Sequence, residues 1–218
     1  LLLGIRVSFL GPDGAREHLY SVKAFAGDGA AALLDKWRSK RPVAPPWGDP
    51  VFGVPALHVV VLAFPNDGEM PGLKAAPDPD RLKRLLTERV LPAGERARGR
   101  RLSLEPVKYK PERRFIARIR VGTVQDSTGE KAEQSLFLRA YADDSGEASR
   151  EATEALSRKF PFVPRPLGHE APLRLYFQEE RTGAPLLPLL PDARAPALVE
   201  ETGRRLRALH DSGVRLAR

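Results

Sequence analysis

A chain of 218 residues, 42% of them hydrophobic, can bury one large core or two small ones. It has no cysteine, which excludes a disulfide framework and thiolate metal sites, and no run near ~20 apolar residues, which excludes a membrane-spanning helix. The net charge of +8 favours an anionic partner.

The first predicted element is a hairpin. Ile5-Arg6-Val7-Ser8-Phe9-Leu10 alternates, Gly11-Pro12-Asp13-Gly14 is a turn signal, and His18 to Phe25 is the return strand. Ala30 to Trp37 reads as a short helix with Ala31, Leu34 and Trp37 on its apolar side. A proline-rich loop runs from Pro42 to Pro55. The apolar run Ala56 to Phe64 reads as a buried central strand. Asp78 caps a helix beginning near Pro79, with Leu82, Leu85 and Leu86 at helical spacing and Pro92 and Gly94 ending it.

Strands follow at Glu105 to Lys110, Phe115 to Val121 and Gln134 to Tyr141, with turns at Pro111 to Arg114 and Asp126 to Gly129. Asp144 and Glu147 have capping-box spacing and open the next helix. Pro164 to Gly168 is extended, and Leu173 to Gln178 is the last strand. A helix from Pro196 to Asp211 places Leu198, Val199, Thr202, Leu206 and Leu209 on one face, with Gly203 inside it and Gly213 just past its end.

These elements divide into an α+β unit at 1–73, a helical connector at 74–101, a second α+β unit at 102–183 and a helical segment at 184–218. The two units share an order of elements, and Val22-Lys23-Ala24-Phe25-Ala26 matches Leu138-Arg139-Ala140-Tyr141-Ala142. Placing Trp37 against Leu156 puts Ala32 where Glu151 stands, so Lys23 is expected to lack a carboxylate partner. The absence of an initial methionine and the mid-pattern stop at Arg218 lead us to expect a piece of a longer chain.

Two constellations could carry chemistry. The first is the cation cluster Arg96, Arg98, Arg100, Arg101, Lys108, Lys110, Arg113, Arg114, Arg118 and Arg120. It suits nucleotide phosphates or nucleic acid, or is simply a solvated arginine-rich face. The second pairs a strand cation, Arg139, with a helical carboxylate, Glu151, which shares a small-residue face with Ala148 and Ala155. Alternatively Glu147, Arg150, Glu151, Glu154 and Arg158 form ordinary i,i+4 pairs on a solvated helix. The four histidines have no metal-ligand spacing.

Tyr109-Lys110-Pro111-Glu112-Arg113-Arg114, Leu136-Phe137-Leu138-Arg139, Arg150-Glu151-Ala152, Val163-Pro164-Arg165-Pro166-Leu167-Gly168 and Leu206-Arg207-Ala208-Leu209-His210 are together similar to the aminoglycoside phosphotransferase family of kinase-like enzymes. The resemblance covers roughly residues 105 to 218. It implies an α+β, protein-kinase-like N-lobe (an antiparallel sheet plus one helix), preceded by a small α+β cap unit and followed by the first helix of a C-lobe. It implies ATP and Mg²⁺ as cofactors, and a nucleotide and a sugar-like or aminoglycoside-like acceptor as partners; a cytoplasmic location is expected from the lack of cysteine.

By that resemblance Arg139 contacts phosphate and Glu151 holds it, with arginine in place of the usual lysine. Lys110, Arg113 and Arg114 lie in the turn over the phosphates, where Glu112 replaces a glycine of the family's glycine-rich loop. Glu179 and Glu180 fall at the linker that offers backbone groups to adenine. The family's catalytic and metal-binding segment would follow His210, so residues 1–218 alone are expected to be inactive. The rivals are a non-catalytic pseudokinase or regulatory module, and a basic nucleic-acid-binding domain. The basic segment lacks the interleaved aromatics that base stacking needs.

Overall fold

Alternating apolar residues build two antiparallel sheets, one in each half of the chain. The computed structural model describes residues 1–11 and 14–214 and is mixed α+β. The first sheet has the order β1-β2-β4-β3, formed by β1 (Leu2–Gly11), β2 (Gly14–Ala24), β3 (Val51–Val54) and β4 (Val59–Ala63). Helix α1 (Gly29–Arg38) packs Trp37, Leu33 and Leu34 against Val51, Val60 and Leu62 on one side of it. The hairpin turn falls on residues 12 and 13, outside the described residues, with Gly11 and Gly14 paired across it.

The second sheet has the order β5-β6-β7-β9-β8. Its strands are β5 (Glu95–Lys110), β6 (Arg114–Gln125), β7 (Lys131–Tyr141), β8 (Pro166–Glu170) and β9 (Leu175–Glu179). Between the two sheets in chain order comes α2 (Pro79–Arg89), which packs on the second. Asp78 caps it as expected, accepting from the backbone N–H groups of Asp80 (3.1 Å) and Arg81 (3.0 Å). Its Leu82, Leu85 and Leu86 join Phe115, Ile119, Val121, Leu136, Leu138 and Phe177 in the largest core, with Phe64, Met70 and Leu73 from the preceding segment. The segment expected as a connector is therefore the lid of the second sheet's core, and its last residues, Glu95 to Arg101, belong to β5.

The halves repeat. One sequence offset relates Lys23 to Arg139, the helix starts Gly29 and Ser145, and the left-handed residues His58 (φ 50°) and Arg174 (φ 49°). Helix α3 (Ser145–Lys159) is longer than α1. Aligned on the helix starts, Asp35 rather than Ala32 stands opposite Glu151. The proline-rich loop also holds a strand missed in the sequence, β3, the counterpart of β8.

The expected capping box at Asp144 is not formed, since Asp144 makes no side-chain cap. Instead Asp143 accepts from the Ser145 N–H (3.1 Å) and the Ser145 hydroxyl (2.5 Å), and Glu147 turns to Arg150. An arginine one turn on offers the Glu147 carboxylate a charge-assisted partner, stronger than a neutral backbone N–H.

Helix α4 (Ala195–His210) carries the expected apolar face, but Val199 and Leu206 are about half exposed. Apart from the backbone of its own helix, no atom of the described residues lies within 4 Å of a Cβ built on Gly203. Gly203→Ala is therefore expected to stabilise the chain by up to ~1 kcal/mol through helix propensity. Chemical denaturation checks this, and a loss of stability would mean that something packs at that face.

Candidate anion-binding site

Alternation along β6, β7 and β9 sorts side chains to two faces. Phe115, Ala117, Ile119, Leu136, Leu138, Leu175 and Phe177 point to the α2 core. Arg114, Ile116, Arg118, Phe137, Arg139, Tyr141, Tyr176 and Gln178 take the other face, where α3 packs. Register places Arg114 opposite Tyr141, Ile116 opposite Arg139, Arg139 opposite Tyr176 and Phe137 opposite Gln178. Arg114 and Arg139 are thus diagonal neighbours, a spacing of about 7–8 Å in a sheet and somewhat less at Cβ.

This face has polar atoms that no described residue satisfies. Arg114 Nε, Arg139 Nε and Gln178 Oε1 are buried without a hydrogen-bond partner. A buried orphan donor or acceptor costs roughly 1–3 kcal/mol, so such groups call for an explanation. The Arg139 guanidinium carbon lies 5.8 Å from the centroid of the Tyr176 ring, which stacks on Tyr141. Burial pushes the Tyr176 hydroxyl up to about 12, while its bond to Ser149 and the Arg139 charge pull it back.

At one end the β5–β6 turn gathers the cations expected there. Lys110, Arg113 and Arg114 line a polar pocket with Glu112, Tyr141 and Asp143. Glu112 has φ 54° in this turn. Its N–H does not face outward but donates to Asp67 Oδ2 (2.8 Å), which also accepts from the Tyr109 hydroxyl (3.1 Å). Burial, with the Asp67 carboxylate, drives the Tyr109 hydroxyl far above its usual range. The Glu112 carboxylate takes Lys23 Nζ at 2.9 and 3.1 Å. Lys23, expected to lack a carboxylate, is held by one from the other unit.

Arg139 and Glu151 are not brought together. Ser149 of α3 meets the Tyr176 hydroxyl at 3.4 Å, and Gly146 packs on Tyr141. The helix face toward the sheet therefore runs through Gly146 and Ser149 rather than through Ala148, Glu151 and Ala155. Glu151 turns outward, 61% exposed at its side chain, with Arg150 at 3.9 Å. Arg150 is instead clamped by Glu147 (2.6 Å) and Glu154 (3.0 Å), the i,i+3 and i,i+4 pairs of a solvated helix. That hydrogen bond with Arg150 is the main cause holding the Glu147 carboxyl below its usual range.

At the far end Glu179 accepts from the Arg165 N–H (3.1 Å) and pairs with Arg181 (3.2 Å). Glu180 takes Arg118 Nε at 2.8 Å and the Ser135 hydroxyl. Both carboxylates are occupied within the fold. The basic segment is likewise dispersed, with Arg96 on Asp126 (2.7 Å), Arg101 near Glu133 (3.8 Å) and Arg118 on Glu180.

Sequence reasoning singled out Arg139, Arg114, Arg113 and Lys110 but missed Gln178 and Asp67. The strand alternation carries a signal for Gln178, since it puts Tyr176 and Gln178 on the Arg139 side. Among the described residues no group of three or more His, Asp or Glu side chains is placed to hold a metal ion. Comparison with family models, with curated proteins and with solved structures gives no match to this chain.

Proposed function

We propose that this chain is the nucleotide-binding part of an ATP-dependent, kinase-like small-molecule phosphotransferase. Residues 102–183 form its N-lobe, 1–73 a cap unit and 184–218 the start of a C-lobe. The acceptor is a hydroxyl of a sugar-like or aminoglycoside-like molecule, and the location is cytoplasmic. The observation that carries the reading is the pair of buried, unpartnered guanidinium nitrogens of Arg114 and Arg139 on one sheet face.

The chain also contains its own internal parallel. Lys23, the repeat counterpart of Arg139, holds both oxygens of a carboxylate. At the same position in the second unit no carboxylate among the described residues takes Arg139, which supports an anion arriving from outside. Phosphates fit the Arg114–Arg139 end, where Lys110 and Arg113 add charge. The apolar middle of the face, Ile116 and Phe137, suits the flat nucleoside. The free Gln178 amide oxygen stands ready for a polar edge of the base.

Phosphoryl transfer asks a protein mainly for positioning and charge neutralisation, and the cations gathered at this end support the reading on the nucleotide side. The test is calorimetric titration of the chain with ATP and with a single-stranded oligonucleotide at two salt concentrations. We expect saturable 1:1 ATP binding. Oligonucleotide binding that collapses with salt, with no ATP binding, would select the nucleic-acid reading instead.

A second reading, a nucleotide-binding module without turnover, is favoured by one specific feature. Among the described residues no helical carboxylate orients Arg139. An intact gene product that binds ATP with Arg139 in contact yet phosphorylates no sugar or aminoglycoside hydroxyl would select this reading.

A further inference from the structure

Two residues of the first unit have their partners in a turn of the second. Lys23 is on β2, and its ammonium meets Glu112 between β5 and β6. Asp67 follows β4 and is 5% exposed. Its Oδ2 accepts from the Glu112 N–H and the Tyr109 hydroxyl, and its Oδ1 from the Glu69 N–H at 3.0 Å. Neighbouring Asn66 is fully buried and ties down the proline-rich loop through Val43 N and O, both at 2.8 Å. The anchor is therefore itself anchored.

The turn needs such holding for two physical reasons. Glu112 occupies the left-handed region at φ 54°, which a side-chain-bearing residue adopts at a cost. Its carboxylate also stands among Lys110, Arg113 and Arg114, where it would repel phosphate and compete for their charge. Lys23 answers both by fixing the carboxylate and neutralising it. Asp67 fixes the backbone from below.

We infer that the first unit is a positioning part of the second unit's anion site, with Lys23 and Asp67 setting the β5–β6 turn and masking Glu112 so that Arg114 and Arg113 face an incoming phosphate. This rests on the nucleotide reading above. The repeat explains its origin in physical terms. A strand position that accepts an anion in both units is filled internally in the first unit, and that filling locks the two units together.

The test uses the whole chain with Lys23→Met, Asp67→Asn and the double variant Lys23→Met/Glu112→Gln. Two readouts are taken, amide hydrogen exchange over Glu112 to Arg114 and ATP affinity. We expect Lys23→Met to speed exchange of the turn amides and to weaken ATP about 10-fold, the loss of one charge-assisted contact. Adding Glu112→Gln should recover most of the affinity, a rescue that a merely structural lysine would not give. If Asp67→Asn fails to fold, Lys23→Met still decides, because Lys23 is part-exposed. Unchanged turn exchange in Lys23→Met overturns the inference. A wild-type chain that binds no ATP overturns the nucleotide reading alone, and the exchange measurement still decides whether the first unit holds the turn.

Discussion

Arg139→Ala is expected to weaken ATP binding by about 10- to 100-fold while leaving the melting temperature unchanged or slightly raised. A charge-assisted hydrogen bond contributes roughly 1.5–3 kcal/mol, and each 1.4 kcal/mol is a factor of ten. The unusual half of the prediction is the stability. Arg139 has a buried Nε with no hydrogen-bond partner among the described residues, so truncation breaks no hydrogen bond, and relief of that orphan donor offsets the lost contact with the Tyr176 ring. Arg114→Ala should behave alike, and the double variant should lose at least as much affinity as either.

Arg139→Lys should retain part of the affinity, since the charge remains but the two-pronged geometry does not. Glu151→Ala should leave ATP binding as it is, because that carboxylate is exposed and turned away from Arg139. Calorimetry and thermal melts of the four single variants check the set. A large fall in melting temperature for Arg139→Ala, with ATP affinity intact, would make Arg139 a structural residue and remove the basis of the site.

Gly168→Ala should destabilise the chain severely, by ~3 kcal/mol or more, through overpacking against backbone. A Cβ on Gly168 would fall inside the van der Waals envelope of the Arg89 carbonyl at the end of α2. Backbone cannot swing aside as a side chain can, so α2 would have to lift from β8. That movement would also break the ion pair of Arg89 with Glu170 at 2.9 Å and loosen Leu82, Leu85 and Leu86 in the main core. Denaturant unfolding of Gly168→Ala beside Gly203→Ala provides an internal control. The same substitution should cost stability where a carbonyl lies against the glycine and add stability where nothing does.

The turn from 110 to 114 shows how far sequence reasoning reaches and where it stops. Its residue types, its proline and the flanking alternation place it between two strands and give it three cations. Whether those cations face a ligand depends on where the Glu112 N–H points. The donor's destination, Asp67, lies 45 residues away in sequence. Nothing local encodes that distance. Similarly, Glu151 has the right spacing after Arg139, but helical spacing alone leaves the rotation of α3 open. The packing of Gly146 on Tyr141 and of Ser149 on Tyr176 decides it, and the carboxylate ends up facing solvent.

Strand alternation, the Asp78 cap, the apolar spacing of α2 and the repeat of one α+β order were all readable from the residues, because each is a local property of period two, of helical period or of a single cap. Which faces are covered, and by what, was not. The close approach at Gly168, the use of α2 as a core lid and the crossing of Lys23 to Glu112 arise only when distant segments meet. Their physical reason is common to all. Burial and ion pairing are properties of the neighbours that a fold assembles, and the same residue types could have met other neighbours.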